Sequence, residues 1–283
     1  MYHFDIRNYY TYCCLYPLIQ SNKLELQLSH FALRLFCEVH PSWQMKLYPL
    51  LLSALAIPTR MSYQRERSLM VSQQLRPRDI KDERVLRAME TVPRHLFVSP
   101  ELISSAYEDH PLPIGKNQTI SQPFIVALMA EAARIQPSDK ILEIGTGCGY
   151  SAAVLSILAN TVYTAEIIPE LGASAKDRLK DLDYKNVEVM VGDGSVGFAE
   201  HAPYDAIIVT AGAPQVPQEL LYQLSMGGRM VIPVRGETSF LPGEKLLRLT
   251  RTAEENTSRS FNVEYLDDVR FVPLRGKAGW KDL

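Results

Sequence analysis

The chain of 283 residues has only four cysteines, Cys13, Cys14, Cys37 and Cys148, in neither a metal-ligand spacing nor the pattern of a disulfide framework. That argues against a zinc-stabilised or disulfide-stapled scaffold and leaves no metal site to expect; the thiols read as buried or incidental. Nor is there an excess of charge: 30 Lys and Arg stand against 32 Asp and Glu, for a formal charge of −2. So even a balance gives no electrostatic footprint for nucleic acid or for an anionic membrane. The uncharged run Leu47 to Thr59, LYPLLLSALAIPT, falls short of the roughly 20 apolar residues a membrane-spanning helix needs. Dinucleotide-type G-x-G-x-x-G spacing and a Walker-type G-K-[ST] are also missing.

What is present is 46% hydrophobic residues, ample for one large α/β core with appendages. The organisation changes near Met61. Residues 1–60 are rich in Tyr, Leu, Cys and His, with no chemical motif or internal repeat. The run around residues 45–56 has the makings of a signal peptide, with Met45 as start, Lys46 as a thin positive region and Ser53-Ala54-Leu55-Ala56 before a cleavage site. Translated upstream sequence and an extra helix are the other two readings. A cytoplasmic location is the expectation, with a periplasmic or secreted one if the signal reading holds. The main domain is expected over 61–283.

That domain opens with helical spacing over about 62–91, split at Arg76-Pro77, and Asp82 ahead of Val85, Leu86 and Met89 marks a capped amphipathic helix. Then strands and helices alternate. Strand-like runs begin at Lys140 (KILEIG), Thr161 (TVYTAEI), Val187 (VEVMVGD), Tyr204 (YDAIIVT) and Gly227 (GGRMVIPV), with helices over 150–159, 169–182 and 216–224 between them. Near-continuous Val/Ile runs alternating with helices predict a doubly wound α/β fold, its mostly parallel sheet covered on both faces. Two later runs from Glu244 and Ser260, with no long helix between them, predict an antiparallel hairpin closing the sheet.

The chemistry gathers at the strand ends. LEIGTGCGY sets Gly145, Gly147 and Gly149 between the first strand of that series and a helix, where glycine lets the backbone turn tightly and approach a ligand. In open α/β sheets ligands sit beyond the carboxyl ends of the strands. Glu166 ends the next strand, roughly twenty residues on, where a carboxylate can accept both ribose hydroxyls. Asp193-Gly194 ends the third, placed for an adenine edge. Each glycine alone is an ordinary βα turn; three strand ends together describe a nucleoside site. Glu143, two residues before Gly145, adds a carboxylate. With G-x-G-x-G in place of the dinucleotide spacing, the pattern favours a cationic cofactor, S-adenosylmethionine, over a pyrophosphate.

Upstream lies PIGKNQTISQP, from Pro113 to Pro123. A loop with Ser121 capping the next helix and Pro123 in its first turn explains part of it. Ile125, Leu128, Met129 and Ala132 recur as one buried helix face. Gln118 and Thr119 are left without a structural reason.

Taken in order, PLPIGKNQTISQP, LEIGTGCGY, GDG and YDAIIVTAGAP resemble the protein-L-isoaspartate (D-aspartate) O-methyltransferase family over about Ser62 to Pro273. The Gln-Thr-Ile-Ser loop is the discriminating part, because many methyltransferases share the glycine motif. The resemblance implies a Rossmann-like methyltransferase fold. It implies transfer of a methyl group from S-adenosylmethionine to the free α-carboxyl of isoaspartyl and D-aspartyl residues in damaged proteins, whose ester then collapses to a succinimide and initiates repair. It makes Ser121 the active-site serine. It sets Gln118, Thr119 and Ile120 in the substrate pocket with Val209, Thr210, Ala211 and Pro214, the strand-end segment along which the substrate backbone lies. Damaged proteins and peptides are the implied partners, with no nucleic acid and no membrane; a monomer is the expectation. Residues 1–60 depart from the family pattern, and the tail RFVPLRGKAGW does not align near Arg275. Two rivals stay open: a methyltransferase for another acceptor (a small molecule or RNA), and a binding module that keeps the nucleoside fold without catalysis.

Overall fold

The computed structural model describes residues 63–236, 243–253 and 260–281. The N-terminal segment 1–60, with its signal-peptide reading, lies outside the described residues.

Helix α1 (Gln64–Met70) runs on through a π turn at Val71–Leu75 and ends in a 3₁₀ turn at Arg76–Arg78, where Pro77 removes an amide donor. Helix α2 (Glu83–Thr91) starts at Asp82, whose side chain accepts the Arg84 amide, and buries Val85, Leu86, Ala88 and Met89.

The stretch after Pro111 is not the plain loop that its composition suggests. Strands β1 (Leu112–Gly115) and β2 (Gln118–Ile120) pair antiparallel, Pro113 opposite Thr119. Lys116 and Asn117 form the turn, both left-handed with φ of 52° and 57°, as a twisted two-residue hairpin requires. Asn tolerates that region, but Lys gives no such signal, which is why the hairpin is hard to read. Helix α3 (Pro123–Ala132) has Pro123 at its first position, yet its cap residue is Gln122 and no side chain caps it. The alternative reading of Ser121 as a plain helix cap therefore does not hold. The single buried face is corrected too: Phe124, Val126, Ala127, Met129, Ala130 and Ala132 are buried, while Ile125 and Leu128 are only partly so, because the helix is packed nearly all round.

The α/β alternation then builds the sheet: β3 (Lys140–Ile144), α4 (Tyr150–Leu158), β4 (Thr161–Glu166), α5 (Pro169–Asp181), β5 (Val187–Val191), β6 (Tyr204–Val209), α6 (Gln218–Tyr222), β7 (Leu224–Arg235), β8 (Glu244–Arg251) and β9 (Phe261–Val269). Helix α6 is shorter than its expected span because Pro217 is its cap and cannot continue a helix backwards. Strand order is β5-β4-β3-β6-β7-β8-β9, with the first five parallel and β8 and β9 antiparallel. Both faces are apolar. Ile141, Ile208 and Val231 point into one core with α2, α3 and α4; Leu142, Ile207 and Met230 point into the other with α6. The period of two along each strand assigns neighbours to opposite cores, and each fully buried Ile or Leu contributes about 1.5–3 kcal/mol. The order reverses at β3, which has β4 on one side and β6 on the other, so a crevice opens at their carboxyl ends.

Candidate active site

The crevice floor is the turn after β3. Amides of Gly145 and Thr146 both donate to the Ala165 carbonyl, at 2.9 and 3.1 Å, tying the turn to the end of β4. Gly145 has φ of 102°, and a Cβ there would stand 2.3 Å from Thr210 Oγ1. Thr210 uses that hydroxyl to donate to the carbonyls of Ile144 and Gly145, at 3.0 and 2.8 Å. Its own amide donates to Ile144 at 2.8 Å. The glycine turn and the end of β6 are thus fitted to each other without room for a side chain.

Glu166, only 5% exposed, faces this turn. One carboxylate oxygen accepts the Gly147 amide at 2.8 Å and the other accepts the Ile168 amide at 2.9 Å. Glu143 sits one residue below the crevice lining and is completely buried. It accepts from Thr164 Oγ1 at 2.5 Å, and Thr164 is in turn bonded to Thr146 Oγ1 at 2.7 Å. Its other oxygen has no partner among the described residues. Burial pushes this carboxyl up to about 7, opposed by the hydroxyls of nearby Ser151 and of hydrogen-bonded Thr164, with the charge of Glu166 adding to the rise.

Two further walls complete the cleft. The β1–β2 hairpin brings Gln118 and Thr119 to its edge, and its tip is pinned to the start of α5 by the Lys116–Glu170 ion pair at 2.6 Å. Both partners are about half exposed, so that pair is worth little by itself. Opposite, the C-terminal segment contributes Val272, Pro273, Leu274 and Arg275.

Of the residues singled out in the sequence, Gln118, Thr119, Gly145, Gly147, Glu166, Gly194, Thr210 and Ala211 come together around one cleft. Gly149 supports it from below as the cap residue of α4. Ile120 and Val209 are buried in the cores beside it. Pro214 is half-buried past the end of β6, and Ser121 is half-buried at the joint between β2 and α3, two residues after the lining residue Thr119 and outside the lining itself. The Asp193 carboxylate is taken up by Ser195 and Lys277. Ile167, Ile168, Ser195 and the C-terminal segment line the cleft without having been singled out; adjacency to Glu166 and to Gly194 was the available signal for the first three, and none existed for the last. Cys148 is buried and free, its thiol pushed up by burial. A second hollow beside the end of α3 offers no comparable chemistry, because Arg84 and Arg248 there are already paired with Asp82 and Glu264.

The sequence model of the protein-L-isoaspartate(D-aspartate) O-methyltransferase family matches residues 65–279. The chain belongs to this family. A protein-L-isoaspartate O-methyltransferase 2 of Pelobacter propionicus is 53% identical over 223 residues, 79% of this chain and 96% of the relative. A protein-L-isoaspartate O-methyltransferase of Protochlamydia amoebophila is 53% identical over 212 residues, 75% of this chain and 98% of the relative. Among solved structures, a protein-L-isoaspartate O-methyltransferase at 28% identity superposes with a TM-score of 0.66, over 75% of this chain and 67% of the other. A Plasmodium falciparum candidate isoaspartate methyltransferase, in complex with S-adenosyl-L-homocysteine, shares the fold with a TM-score of 0.62 at 23% identity, over 74% of this chain and 98% of its own. The family match thus spans the hairpin, the glycine turn and the C-terminal wall, and it leaves residues 1–60 outside. Among the described residues, no helix is long and apolar enough to cross a membrane.

Proposed function

We propose that the cleft methylates the free α-carboxylate of isoaspartyl and D-aspartyl residues in damaged proteins, with S-adenosylmethionine as donor, and that 61–283 is the methyltransferase domain. The observation that carries this is 53% identity over nearly the whole length of named protein-L-isoaspartate O-methyltransferases. The cleft fits the cofactor on its own evidence. Its floor is a cradle that a Cβ would fill at Gly145, and a buried carboxylate, Glu166, stands at the end of β4. When bound, the cofactor supplies an electrophilic methyl group on a sulfonium centre.

The residues of the chain do the rest. Gly145 and Gly147 let the floor approach the ligand closely, and Glu166 accepts the ribose hydroxyls with the lone pairs that Gly147 and Ile168 leave free. Gln118 and Thr119 hold the acceptor carboxylate at the hairpin edge, with Ser121 behind them. A carboxyl with a pKa near 3.5 is already ionised at neutral pH, so no strong base is needed. What remains is alignment at about 3–3.5 Å and exclusion of water. Ser121 acts as an orienting hydroxyl rather than as a nucleophile, because among the described residues no histidine lines this cleft to activate it. The backbone at Thr210 and Ala211 supports the substrate main chain.

The free, buried Cys148 thiol is compatible with a reducing, cytoplasmic setting; cell fractionation tests it, and a product cleaved near Ala56 outside the cytoplasm overturns it. The reaction itself is tested with labelled S-adenosylmethionine and an isoaspartyl peptide, the matching aspartyl peptide being the control. Label appears only in the isoaspartyl sample, as a base-labile ester; equal or absent labelling of the two peptides sinks the proposal.

A further inference from the structure

The residue that starts α3 turns its side chain away from the helix. Gln122 holds the cap position, where a polar side chain ordinarily accepts an amide of the first turn, yet its side chain accepts none. Its Nε2 instead donates to the Asp109 carbonyl, thirteen residues upstream, at 2.9 Å. Asp109 is gripped by its side chain as well: Arg78 Nη1 donates to the carboxylate at 2.8 Å. The same guanidinium lies over the ring of buried Phe124, 3.4 Å from its centroid. Gln122 and Phe124, the two residues that flank Pro123, are therefore fastened to one Arg78–Asp109 unit. That unit is fixed in turn. Arg78 closes the 3₁₀ turn that follows the π turn, and Gln74 within the π turn donates to the Tyr107 carbonyl at 2.8 Å. Near the far end of α3, Glu131 accepts the amides of Lys81 and Asp82 at 2.7 and 2.6 Å, which seats the helix on the same region.

We propose that Gln122 and Arg78 are positioning residues for methyl transfer, which through Asp109 clamp the start of α3 and so fix the backbone that carries Ser121. The chain gives up a helix cap to make this clamp, and a local rule broken in this way is expected where function constrains the chain. Ser121 is held from both directions: buried Ile120 ends β2 before it, and the clamped Gln122 follows it. A hydroxyl that orients a carboxylate needs such support, because a misplacement of about 1 Å can cost about a hundredfold in rate. The two fastenings differ in strength. The Arg78 and Asp109 side chains are 41% and 31% exposed, so their pairing contributes little by itself, and Arg78 acts chiefly by stacking on Phe124. The Gln122 bond is partly buried and acts on the residue next to Ser121.

This inference rests on the orienting role read for Ser121 above, and the test separates the two. Single-turnover methylation of an isoaspartyl peptide at saturating S-adenosylmethionine is measured on the full chain as wild type, Ser121→Ala, Gln122→Met and the double variant. Calorimetry with S-adenosylhomocysteine and the thermal midpoint accompany each. Gln122→Met keeps the length of the side chain and removes the donor. It is expected to slow the step about ten- to hundredfold, the effect of lost alignment. Affinity for S-adenosylhomocysteine should hold, because the glycine turn and Glu166 are untouched. On top of Ser121→Ala the same change should cost less than about threefold, since the clamp then has no hydroxyl to aim. Arg78→Met should slow the step about two- to fivefold, and Arg78→Lys, which keeps the charge, should recover part of that. Arg78 carries the test if Gln122→Met does not fold. A wild-type rate in either folded variant, or losses that multiply in the double variant, overturns the clamp and leaves the role of Ser121 standing. A wild-type rate in Ser121→Ala removes that role, and the clamp with it. A merely structural role is read as a lower Tm with an unchanged rate per folded molecule, and it overturns the clamp as well.

Discussion

Glu166 accepts the amide of Gly147 across nineteen residues of sequence, so the carboxylate proposed to hold the ribose also fixes the glycine turn. Removing it has two consequences at once: the ribose hydroxyls lose their acceptor, and the Gly147 and Ile168 amides lose theirs. Glu166→Ala is expected to weaken S-adenosylmethionine binding by roughly 1–3 kcal/mol, the range for leaving such groups unpaired. Isothermal calorimetry on the folded variant decides it, and unchanged affinity removes Glu166 from the site.

Gly145 and Thr210 make a second coupled pair. Gly145→Ala places a methyl group 2.3 Å from Thr210 Oγ1 at a backbone angle that disfavours any side chain. Strain of that kind costs about 1–3 kcal/mol before the overlap is counted. The thermal midpoint should fall and cofactor affinity with it. Adding Thr210→Ala removes the overlapping hydroxyl and should recover part of the midpoint but not all, because the φ strain stays. Strictly additive losses in the double variant contradict the fit described between the two residues.

Much of this architecture was legible in the residues. The Val/Ile runs from Lys140, Thr161, Val187 and Tyr204 could bury both faces only as parallel strands, and they do. Gly145, Gly147 and Glu166 were readable because a βα turn and a strand-end carboxylate are local features. The β1–β2 hairpin was not, since Lys116 gives no sign that its φ is positive. The position of Glu143 was hidden for another reason: a carboxylate at a strand end reads the same whether its strand ends in the cleft or one residue below it. The C-terminal wall of the cleft depends on contacts of Lys277 with Asp193 and of Ala278 with Ser195, 84 and 83 residues away, which no local pattern encodes.

Glu143 carries a pH signature. Its folded pKa of about 7 stands above the ordinary 4.5, chiefly because burial disfavours the charged form. Between roughly pH 4.5 and 7 the folded protein therefore holds a proton that the unfolded chain releases, and stability falls as pH rises through that window. The loss amounts to roughly 2–4 kcal/mol at 1.36 kcal/mol per pKa unit. Glu143→Gln has no proton to lose. Denaturant midpoints at pH 5 and pH 8 should show the wild type losing stability relative to the variant, and parallel behaviour of the two proteins would mean that Glu143 is ionised throughout.

Ser121 offers the sharpest separation of roles. Because Gln122 is the cap residue of α3 and no side chain caps that helix, Ser121→Ala should leave the thermal midpoint nearly unchanged. A capping serine would instead cost about 1 kcal/mol. Cofactor affinity should also hold, since Ser121 lies at the hairpin joint and not on the glycine floor. The methylation rate is where the loss belongs. An orienting hydroxyl that positions an already charged carboxylate contributes a few kcal/mol through alignment and one charge-assisted bond, so the single-turnover rate should fall about 10- to 1000-fold. A nucleophilic serine predicts near-complete loss, together with a methylated serine trapped in the wild type, which mass spectrometry of a quenched reaction would detect. Ser121→Thr, which keeps the hydroxyl, should restore part of the rate. A Ser121→Ala enzyme that turns over at the wild-type rate removes the residue from the chemistry altogether.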